Sequence, residues 1–339
     1  MLINNKRSTL KKRIIRSFIS IIAAVTIIAG SVLFVIWIVV AQPIFSKGGN
    51  LSDKNVDPQR LEQHVKMLSR EFYPRDYKNM SNLDRCADYI MENFKLAGAS
   101  DAGFQEFDVM GKRYKNVTAF FDSTSEERIV IGAHYDAFND TPGADDNASG
   151  VAGIIEMARL LSANPLGRDV ELVAFVLEEP PFFTTNEMGS FKHAEKLAGE
   201  DVQVKLMIAL EMIGYFDDAK GSQNYPMPLL KLLYPGRGNY ISLVSGLDQR
   251  GITRSMKNIM AGATDLPVHS INAPSFIAGI DFSDHRSYWL NGYKGIMVTD
   301  TAFYRNRAYH EKKDTADRLD YERMAKVVTG VYEAVRMLP

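Results

Sequence analysis

Three short apolar runs in this chain each end in side chains that bind metals well. Such runs are typical of strands buried on both faces of a parallel sheet. In open α/β sheets, ligands bind beyond the carboxyl ends of the strands. The sequence therefore predicts a metal site at one edge of a sheet. The runs and the residues that follow them are 128–133 before His134 and Asp136, 171–177 before Glu178 and Glu179, and 205–210 before Glu211.

The adjacent carboxylates of Glu178 and Glu179 are difficult to place without a cation. Two charges directly after a mostly apolar strand repel each other unless a cation or a proton offsets them. One glutamate could ligate a metal while the other acts as general base on metal-bound water, whose pKa falls towards about 7. The alternative is a pair that is simply solvated at the end of its strand.

Two further features near the first run could belong to the same site. His134 and Asp136 lie two residues apart, so their side chains share a face of an extended backbone and both could bind a metal. Alternatively, Asp136 turns back to hold the imidazole. In the turn-rich loop 141–150, Asp145 and Asp146 directly precede a helical pattern. In isolation, these two aspartates could equally cap that helix and complement its dipole.

The chain has only six histidines. Helical periodicity predicts that His64 and His193 lie on helix surfaces, and His269 falls at a plausible strand end. The other three histidines remain candidate ligands. They are His134, His285 and His310.

Periodicity predicts alternating strands and helices through most of the chain. Apolar residues at helical spacing indicate helices at 57–74, 81–97, 147–163, 187–198, 247–262, 284–291 and 319–337. Strand-like runs lie at 116–121, 128–133, 169–177, 204–210, 240–244 and 295–299. This alternation predicts an α/β fold with a mostly parallel, mixed central sheet and helices on both faces.

An uncharged apolar segment at 18–41 precedes these elements. As a helix rising about 1.5 Å per residue it would span roughly 36 Å, enough for a hydrocarbon core of about 30 Å. Six basic and no acidic residues come before it, which by the positive-inside rule keeps the N-terminus in the cytoplasm. We therefore predict a single-pass membrane protein with its folded domain on the extracytoplasmic side. The alternative is a cleaved signal peptide, although the apolar regions of signal peptides are usually about 7 to 15 residues long.

Composition predicts four segments: a basic cytoplasmic tail at 1–16, a transmembrane signal anchor at 17–41, a polar linker at 42–56 and one folded domain at 57–339. With the six basic residues of the tail set aside, 34 basic residues remain against 41 acidic ones, a net charge of about −7. Nucleic acid is therefore not an expected partner. The lone Cys86 is predicted to be a buried apolar residue of a helix rather than a nucleophile.

Seven motifs, taken in order, resemble the signature of the two-zinc exopeptidases typified by aminopeptidase Y and the bacterial leucyl aminopeptidases. The resemblance runs from about Asp57 to the C-terminus. The ordered set is highly specific, whereas any single motif is weak. It implies the zinc-exopeptidase (phosphorylase/hydrolase-like) architecture. The motifs are His134-Tyr-Asp136, the loop 143–150, Glu178-Glu179, Met188-Gly-Ser190, Met212-Ile-Gly214, Ser283-Asp-His285, and Tyr309-His310 with Asp314-Thr315.

The resemblance also implies a metal arrangement. The enzyme would be an aminopeptidase that binds two zinc ions per chain and hydrolyses N-terminal peptide bonds. His134 and Glu211 would bind different metals, Asp146 would bridge them, and Glu179 and His310 would complete the two coordination spheres. Such a bridge would hold the metals about 3.5 to 4 Å apart around a shared, attacking hydroxide.

Three further residues take roles only through this resemblance. Glu178 would be the general base. Asp136 would support His134 from outside the coordination sphere. Tyr309 would donate a hydrogen bond to the tetrahedral oxyanion.

The chain departs from the family pattern at two points. Glu211 stands where the family commonly has an aspartate, which could change the geometry of one metal site. The connection after Glu179 is longer than usual and contains Pro180-Pro181-Phe182-Phe183. These two phenylalanines fit either the core or a substrate-pocket wall.

Other functions remain open at this point. Glutaminyl cyclases share the fold and much of the ligand set but use a single zinc ion, and they also carry a longer insert after the glutamate pair. An inactive ectodomain that binds a partner is a third interpretation, opposed by the metal-competent side chain at every ligand position. Arg305 and Arg307 could hold a substrate carboxylate in a carboxypeptidase, although the ordinary interpretation is that both are surface arginines. Side-chain specificity and oligomeric state are not predicted.

Overall fold

One sheet of eight strands forms the centre of the molecule. The computed structural model describes residues 2–44, 48, 50–121 and 127–338. The strands are β1 Asp101–Val109, β2 Lys112–Phe121, β3 Arg128–His134, β4 Asp169–Phe175, β5 Val204–Glu211, β6 Ile241–Ser245, β7 Val268–Asn272 and β8 Gly295–Thr299. The helices are α1 Leu2–Ile36, α2 Pro58–Lys66, α3 Met80–Leu96, α4 Gly150–Ala163, α5 Gly189–Gly199, α6 Arg250–Ala263, α7 His285–Leu290 and α8 Tyr321–Met337.

The sheet is mixed, with a parallel centre. The strand order is β1-β2-β4-β3-β5-β8-β6-β7. Strands β4, β3, β5 and β8 are mutually parallel, as are β6 and β7, while β1 with β2, β2 with β4, and β6 with β8 pair antiparallel. The predicted fold class is therefore confirmed. Because β4, β3 and β5 are neighbours and parallel, their carboxyl ends meet at one edge.

Both faces of the sheet are covered by helices. Along β3, Ile129 and Ile131 pack with α4 and α8 in the larger core, whereas Val130 packs with α5 and α7 on the opposite face. This alternation follows from the two-residue period of a strand. Burial on both faces explains why the central strands are continuously apolar.

The two edge strands, β1 and β7, were not predicted from the sequence. β1 alternates between exposed and partly buried residues, so its sequence lacks the apolar run that marked the central strands. It joins β2 through Met110 and Gly111, both with positive φ, the conformation of a two-residue type I′ hairpin turn. Methionine is rare at a turn position with positive φ, so the sequence did not indicate the hairpin. β7, at the other edge, contains His269.

Two histidines predicted on helix surfaces are in fact buried. His64 contacts the Tyr89 hydroxyl and Glu156, and His193 contacts the Tyr288 hydroxyl and Glu171. The surface prediction was wrong because each ring has a carboxylate and a hydroxyl partner inside the fold, which periodicity cannot show. The prediction for Cys86 is confirmed. Its thiol is buried, and burial raises its pKa to about 12.

The N-terminal apolar segment is a long helix that projects from the domain. Helix α1 continues as a π-helical turn at Trp37–Ala41, and the stretch Arg13–Ala41 is long and apolar enough to cross a membrane. Of the predicted linker 42–56, residues 45–47 and 49 lie outside the described residues. Its described part contacts the domain: the Gln42 side chain donates to the Arg250 carbonyl, and Ser52 N donates to the Ala263 carbonyl.

Candidate metal centre

The carboxyl ends of the central strands carry two clusters of metal-competent side chains. In each cluster, one ligand atom per residue lies within 4.8 Å of the others. Five of these six side chains are buried, and His310 is partly exposed. The first cluster consists of His134, Glu178 and Glu211, and the second of Asp146, Glu179 and His310.

The first cluster forms where β3 and β5 end side by side. His134 Nε2 lies 3.5 Å from Glu211 Oε2 and 3.8 Å from Glu178 Oε2. On the other side of the ring, Nδ1 lies 3.1 Å from the carbonyl oxygen of Asp136. A proton on Nδ1 would donate to this carbonyl and leave the Nε2 lone pair facing the carboxylates, as metal ligation requires.

The second cluster joins the end of β4 to a C-terminal loop. His310 Nε2 lies 3.2 Å from Glu179 Oε2 and 3.3 Å from Asp146 Oδ2. The imidazole stacks on the rings of Phe138 and Tyr309, at centroid distances of 4.0 and 3.8 Å. Phe138 gave no signal in the sequence, because its partner is 172 residues away in the chain and only the fold brings the two rings together.

Asp146 lies between the two clusters. Its Oδ1 is 3.4 Å from His134 Nε2 and its Oδ2 is 3.3 Å from His310 Nε2, so its two oxygens face different histidines, as a bridging carboxylate requires. The geometry contradicts the implied division of His134 and Glu211 between two metals. Both residues lie in the same cluster, because β3 and β5 are adjacent in the sheet.

The loop that carries Asp146 is held by hydrogen bonds. The Asp314 carboxylate accepts from the backbone N–H groups of Asp145 and Asp146 at 3.0 to 3.1 Å. The capping role considered for the aspartates belongs instead to Asn147, whose Oδ1 accepts from Gly150 N at the start of α4. Asp145 accepts from Gly214 N and from the Asn306 side chain.

Arg75, which the sequence did not single out, connects the loops around the site. Its guanidinium is fully buried and donates to the carbonyls of Tyr135, Pro142 and Gly143. These carbonyls flank the segments of His134 and Asp146. No motif marks Arg75, because its partners are all backbone carbonyls, three of them in distant segments.

Asp136 fixes the glutamate pair as well as the first histidine. Its carboxylate oxygens accept from Glu178 N at 3.2 Å and from Glu179 N at 3.1 Å. Its contact with His134 is through the backbone carbonyl, since its Oδ1 lies 3.6 Å from Nδ1. Leu177, just before the pair, has a positive φ, a strained conformation that typically costs about 1–3 kcal/mol and persists where the surroundings impose it.

The electrostatics of the clusters fit bound cations. Burial raises the pKa of Glu178 well above its ordinary value, and burial together with Asp146 raises that of Glu179 to about 8. His134 Nε2, His310 Nε2 and Glu179 Oε1 are buried without a partner in hydrogen-bonding geometry among the described residues. Crowded carboxylates and imidazole nitrogens without a hydrogen-bond partner suit divalent metal ions with nitrogen and oxygen ligands, zinc among them.

A largely apolar pocket opens beside the clusters. Both glutamates of the pair contribute to its wall, and so does Tyr309, whose pKa is raised by burial. Away from the clusters, apolar and aromatic side chains make up most of the wall. They include Phe183, Tyr225, Leu230, Tyr234, Tyr240, Val244, Ile271, Phe282 and Met297.

The insert after Glu179 divides between the two roles considered for it. Phe182 is buried in the core, where its ring packs edge-on against Tyr77. Phe183 lines the pocket and packs against Phe282. One phenylalanine therefore belongs to the core and the other to the pocket.

Three remaining candidates take no part in the two ligand clusters. His285 Nε2 contacts the Ile280 carbonyl at 2.8 Å, and burial lowers its pKa to about 4. His285 is in neither cluster, so its candidacy as a ligand was wrong. Arg305 is buried rather than on the surface, donating to Gln223 and Tyr215. Arg307 is exposed.

Known proteins are similar to this chain over most of its length. Residues 116–335 match peptidase family M28, and the chain belongs to this family. It is 49% identical over 286 residues to the uncharacterized protein YfbL of Escherichia coli, covering 82% of this chain and 87% of that protein. It is 27% identical over 299 residues to the probable aminopeptidase YDR415C of Saccharomyces cerevisiae, covering 83% of this chain and 73% of that protein.

Solved structures share the fold. A leucine aminopeptidase precursor from Bacteroides thetaiotaomicron superposes with a TM-score of 0.65 at 18% identity, covering 85% of this chain and 99% of that one. A glutaminyl cyclase from the same organism superposes with a TM-score of 0.64 at 18% identity, covering 84% and 99%. These values are so close that the fold alone does not separate the two activities.

Proposed function

We propose that this protein is a zinc-dependent aminopeptidase that holds two metal ions. The observation that carries the proposal is the position of Asp146, which presents one oxygen to each of two complete clusters. In this assignment His134 and Glu211 hold one ion, Glu179 and His310 hold the other, and Asp146 is shared. When bound, the ions would polarise the scissile carbonyl and lower the pKa of the attacking water.

Glu178 is the proposed general base. It is buried beside His134 and lines the pocket, so its carboxylate can take a proton from the attacking water and pass it to the leaving amine. Asp136 acts through the backbone of the pair and is a positioning residue. Tyr309 keeps its proton because burial raises its pKa, and its hydroxyl is the proposed donor to the oxyanion.

The charge of the pocket favours an N-terminal over a C-terminal substrate end. Among the described residues, its wall includes four carboxylates and no lysine or arginine. Arg305 is engaged by Gln223 and Tyr215, and Arg307 is exposed. The wall therefore offers no basic side chain to pair with a substrate carboxylate, whereas its carboxylate oxygens can accept hydrogen bonds from a substrate ammonium group. The apolar wall further suits a large apolar N-terminal side chain.

Glutaminyl cyclase is the second candidate. The fold is compatible with it, and one observation favours it: the long connection after Glu179 with Phe183 in the pocket wall. Against it stands the first cluster, because His134 and Glu211, beside the shared Asp146, supply an additional set of ligands that a single-zinc enzyme does not need.

The proposed location is the extracytoplasmic side of a membrane, with α1 as an uncleaved anchor. The length and apolarity of Arg13–Ala41 support this location, as do the six basic residues before the span. A reporter fused to the C-terminus should lie outside the cytoplasm and in the membrane fraction. A soluble form lacking residues 1–41 would identify a cleaved signal peptide instead.

One experiment tests the central proposal. Zinc content is measured on the purified full chain in detergent while aminoacyl, carboxy-terminal and N-terminal glutaminyl peptides are assayed. We expect two zinc ions, release of N-terminal residues, loss of activity on chelation and recovery with zinc. Full activity after verified removal of metal contradicts the proposal, and cyclisation of glutamine with one zinc ion identifies the cyclase.

A further inference from the structure

The end of the N-terminal helix packs against the wall of the substrate pocket. Ala41 and Trp37 form a small apolar cluster with Leu230 and Tyr234, and the last two residues also line the pocket. Lys257, a fully buried residue of α6, donates from its Nζ to the carbonyls of Ala41 and Gln42. An ammonium at these carbonyls caps the helix end and fixes it to the domain.

The helix itself indicates where the membrane surface lies. From Arg16 to Trp37, a rise of about 1.5 Å per residue gives about 32 Å, close to the hydrocarbon thickness of about 30 Å. The side chains between them are exposed up to Val35; the helix becomes partly buried against the domain from Ile36 and fully buried at Ala41. Tryptophan is typical of the membrane interface. The pocket wall at Leu230 therefore lies at the level of that interface.

A short 3₁₀ helix at Pro228–Leu232 joins these two features. In a 3₁₀ helix, residues three apart lie on the same face. Leu230 and Leu233 pack inwards on the anchor. Leu229 and Leu232 share another face and are 38% and 76% exposed. The neighbouring Met227 is 42% exposed.

We propose that Met227, Leu229 and Leu232 form a membrane-contact face that holds the pocket against the outer surface of the bilayer. Its occupant is phospholipid, because the face is continuous with the end of a helix of transmembrane length. The substrate class that follows is peptides whose N-termini lie on that surface. This last step rests on the proposed aminopeptidase function, whereas the contact itself rests only on the anchor.

The contact is tested by lipid quenching on the full chain in vesicles of phosphatidylcholine and phosphatidylglycerol. An environment-sensitive fluorophore is attached to Leu232→Cys or to Leu96→Cys. Leu96 is a matched control because it is 74% exposed and lies at the end of α3. Cys86 stays unlabelled because it is buried. We expect lipids with a quencher near the headgroup to quench the Leu232 probe several-fold more than the Leu96 probe.

Two outcomes overturn the proposed contact. Equal quenching at both positions means that the face points to water. A blue shift in the emission of the Leu232 probe without lipid quenching means that protein, such as a second copy of the chain, covers this face.

The substrate class is tested by comparing a soluble leucyl peptide with the same peptide carrying a C-terminal palmitoyl group in vesicles. The double variant Leu229→Gln/Leu232→Gln should keep wild-type turnover of the soluble peptide and lose several-fold on the membrane-bound one. Leu96→Gln should keep both. Equal loss on both substrates overturns the membrane preference. If wild type cleaves neither peptide, the proposed function fails, and quenching alone decides the contact.

Discussion

The two ligand clusters differ in how the chain holds them. In the first, His134 and Glu211 end adjacent strands, and their side chains are 0% and 9% exposed. In the second, His310 comes from a loop, adopts a positive φ and is 22% exposed at its side chain. Strand ends restrain the first cluster, whereas stacking by Phe138 and Tyr309 and the shared Asp146 restrain the second. We infer that the second cluster is the more accessible and the more easily emptied.

Replacing the shared residue should cause the largest effect, because it damages both clusters together. Asp146→Asn removes the charge that faces both histidines, and several kcal/mol of transition-state stabilisation correspond to a loss of about 10³ or more in kcat/KM. Zinc content should fall below one ion per chain. Asp140→Asn, at an exposed aspartate directly before the same loop, is the control. Two tightly held ions in Asp146→Asn would contradict the bridging assignment.

The glutamate pair separates catalysis from coordination. Glu178→Gln should reduce turnover by about 10² to 10⁴ with both zinc ions retained, because it removes a general base. Glu179→Gln should instead lose zinc from the second cluster, and excess zinc should recover part of the activity. Zinc titration alongside kinetics distinguishes them. If Glu178→Gln loses metal and zinc rescues it, the two carboxylates have exchanged roles.

Replacing Ser283 should have a smaller effect, on metal affinity, because its hydroxyl donates to Glu211 Oε2 at 2.8 Å. This hydrogen bond orients the longer side chain that stands where the family commonly has aspartate. Loss of such a contact typically costs about 10- to 100-fold in metal affinity, so Ser283→Ala should weaken the first cluster only. Ser287→Ala, a buried serine nearby that bonds Ser190, is the control. Equal weakening of both ions would show a general loosening rather than this contact.

The smallest effect concerns the pH dependence of stability without metal. Burial and Asp146 raise the pKa of Glu179 to about 8. Burial alone would lower the pKa of His310, but the Asp146 and Glu179 carboxylates raise it to about 10. A group with a raised pKa stabilises the fold at pH values below its ordinary pKa, which is 4.5 for glutamate and 6.5 for histidine. That stabilisation is lost as pH rises through the folded-state value.

The Tm of the metal-free chain should therefore fall by a few degrees as pH rises from about 5 to 9. Zinc should flatten this slope of Tm against pH, because a bound cation replaces the protons on Glu179 and His310. The metal-free double variant Glu179→Gln/His310→Gln should also show a shallower slope. Thermal unfolding in chelator across this pH range is the measurement. An unchanged slope in the double variant would show that other groups control it.

Much of the site could be predicted because strands and ligands are adjacent in the sequence. His134, Glu178, Glu179 and Glu211 each follow an apolar run directly, and the parallel pairing of β3, β4 and β5 brings them to one edge. The predicted helices and central strands are confirmed within a few residues. Edge strands β1 and β7 were missed, because strands that are not buried on both faces lack a continuous apolar run.

The sequence by itself determined the chemistry of this protein: which side chains could bind metal, their order, the parallel core behind them and the apolar helix before them. These features are local, so neighbouring residues encode them. Only the tertiary structure decided that His134 and Glu211 share a cluster, that Phe138 stacks on His310 and that Arg75 holds the surrounding loops. It alone placed the helix end at Ala41 against the pocket wall. Such contacts join segments far apart in the chain, and their partners are set by strand order and packing, which no local pattern specifies.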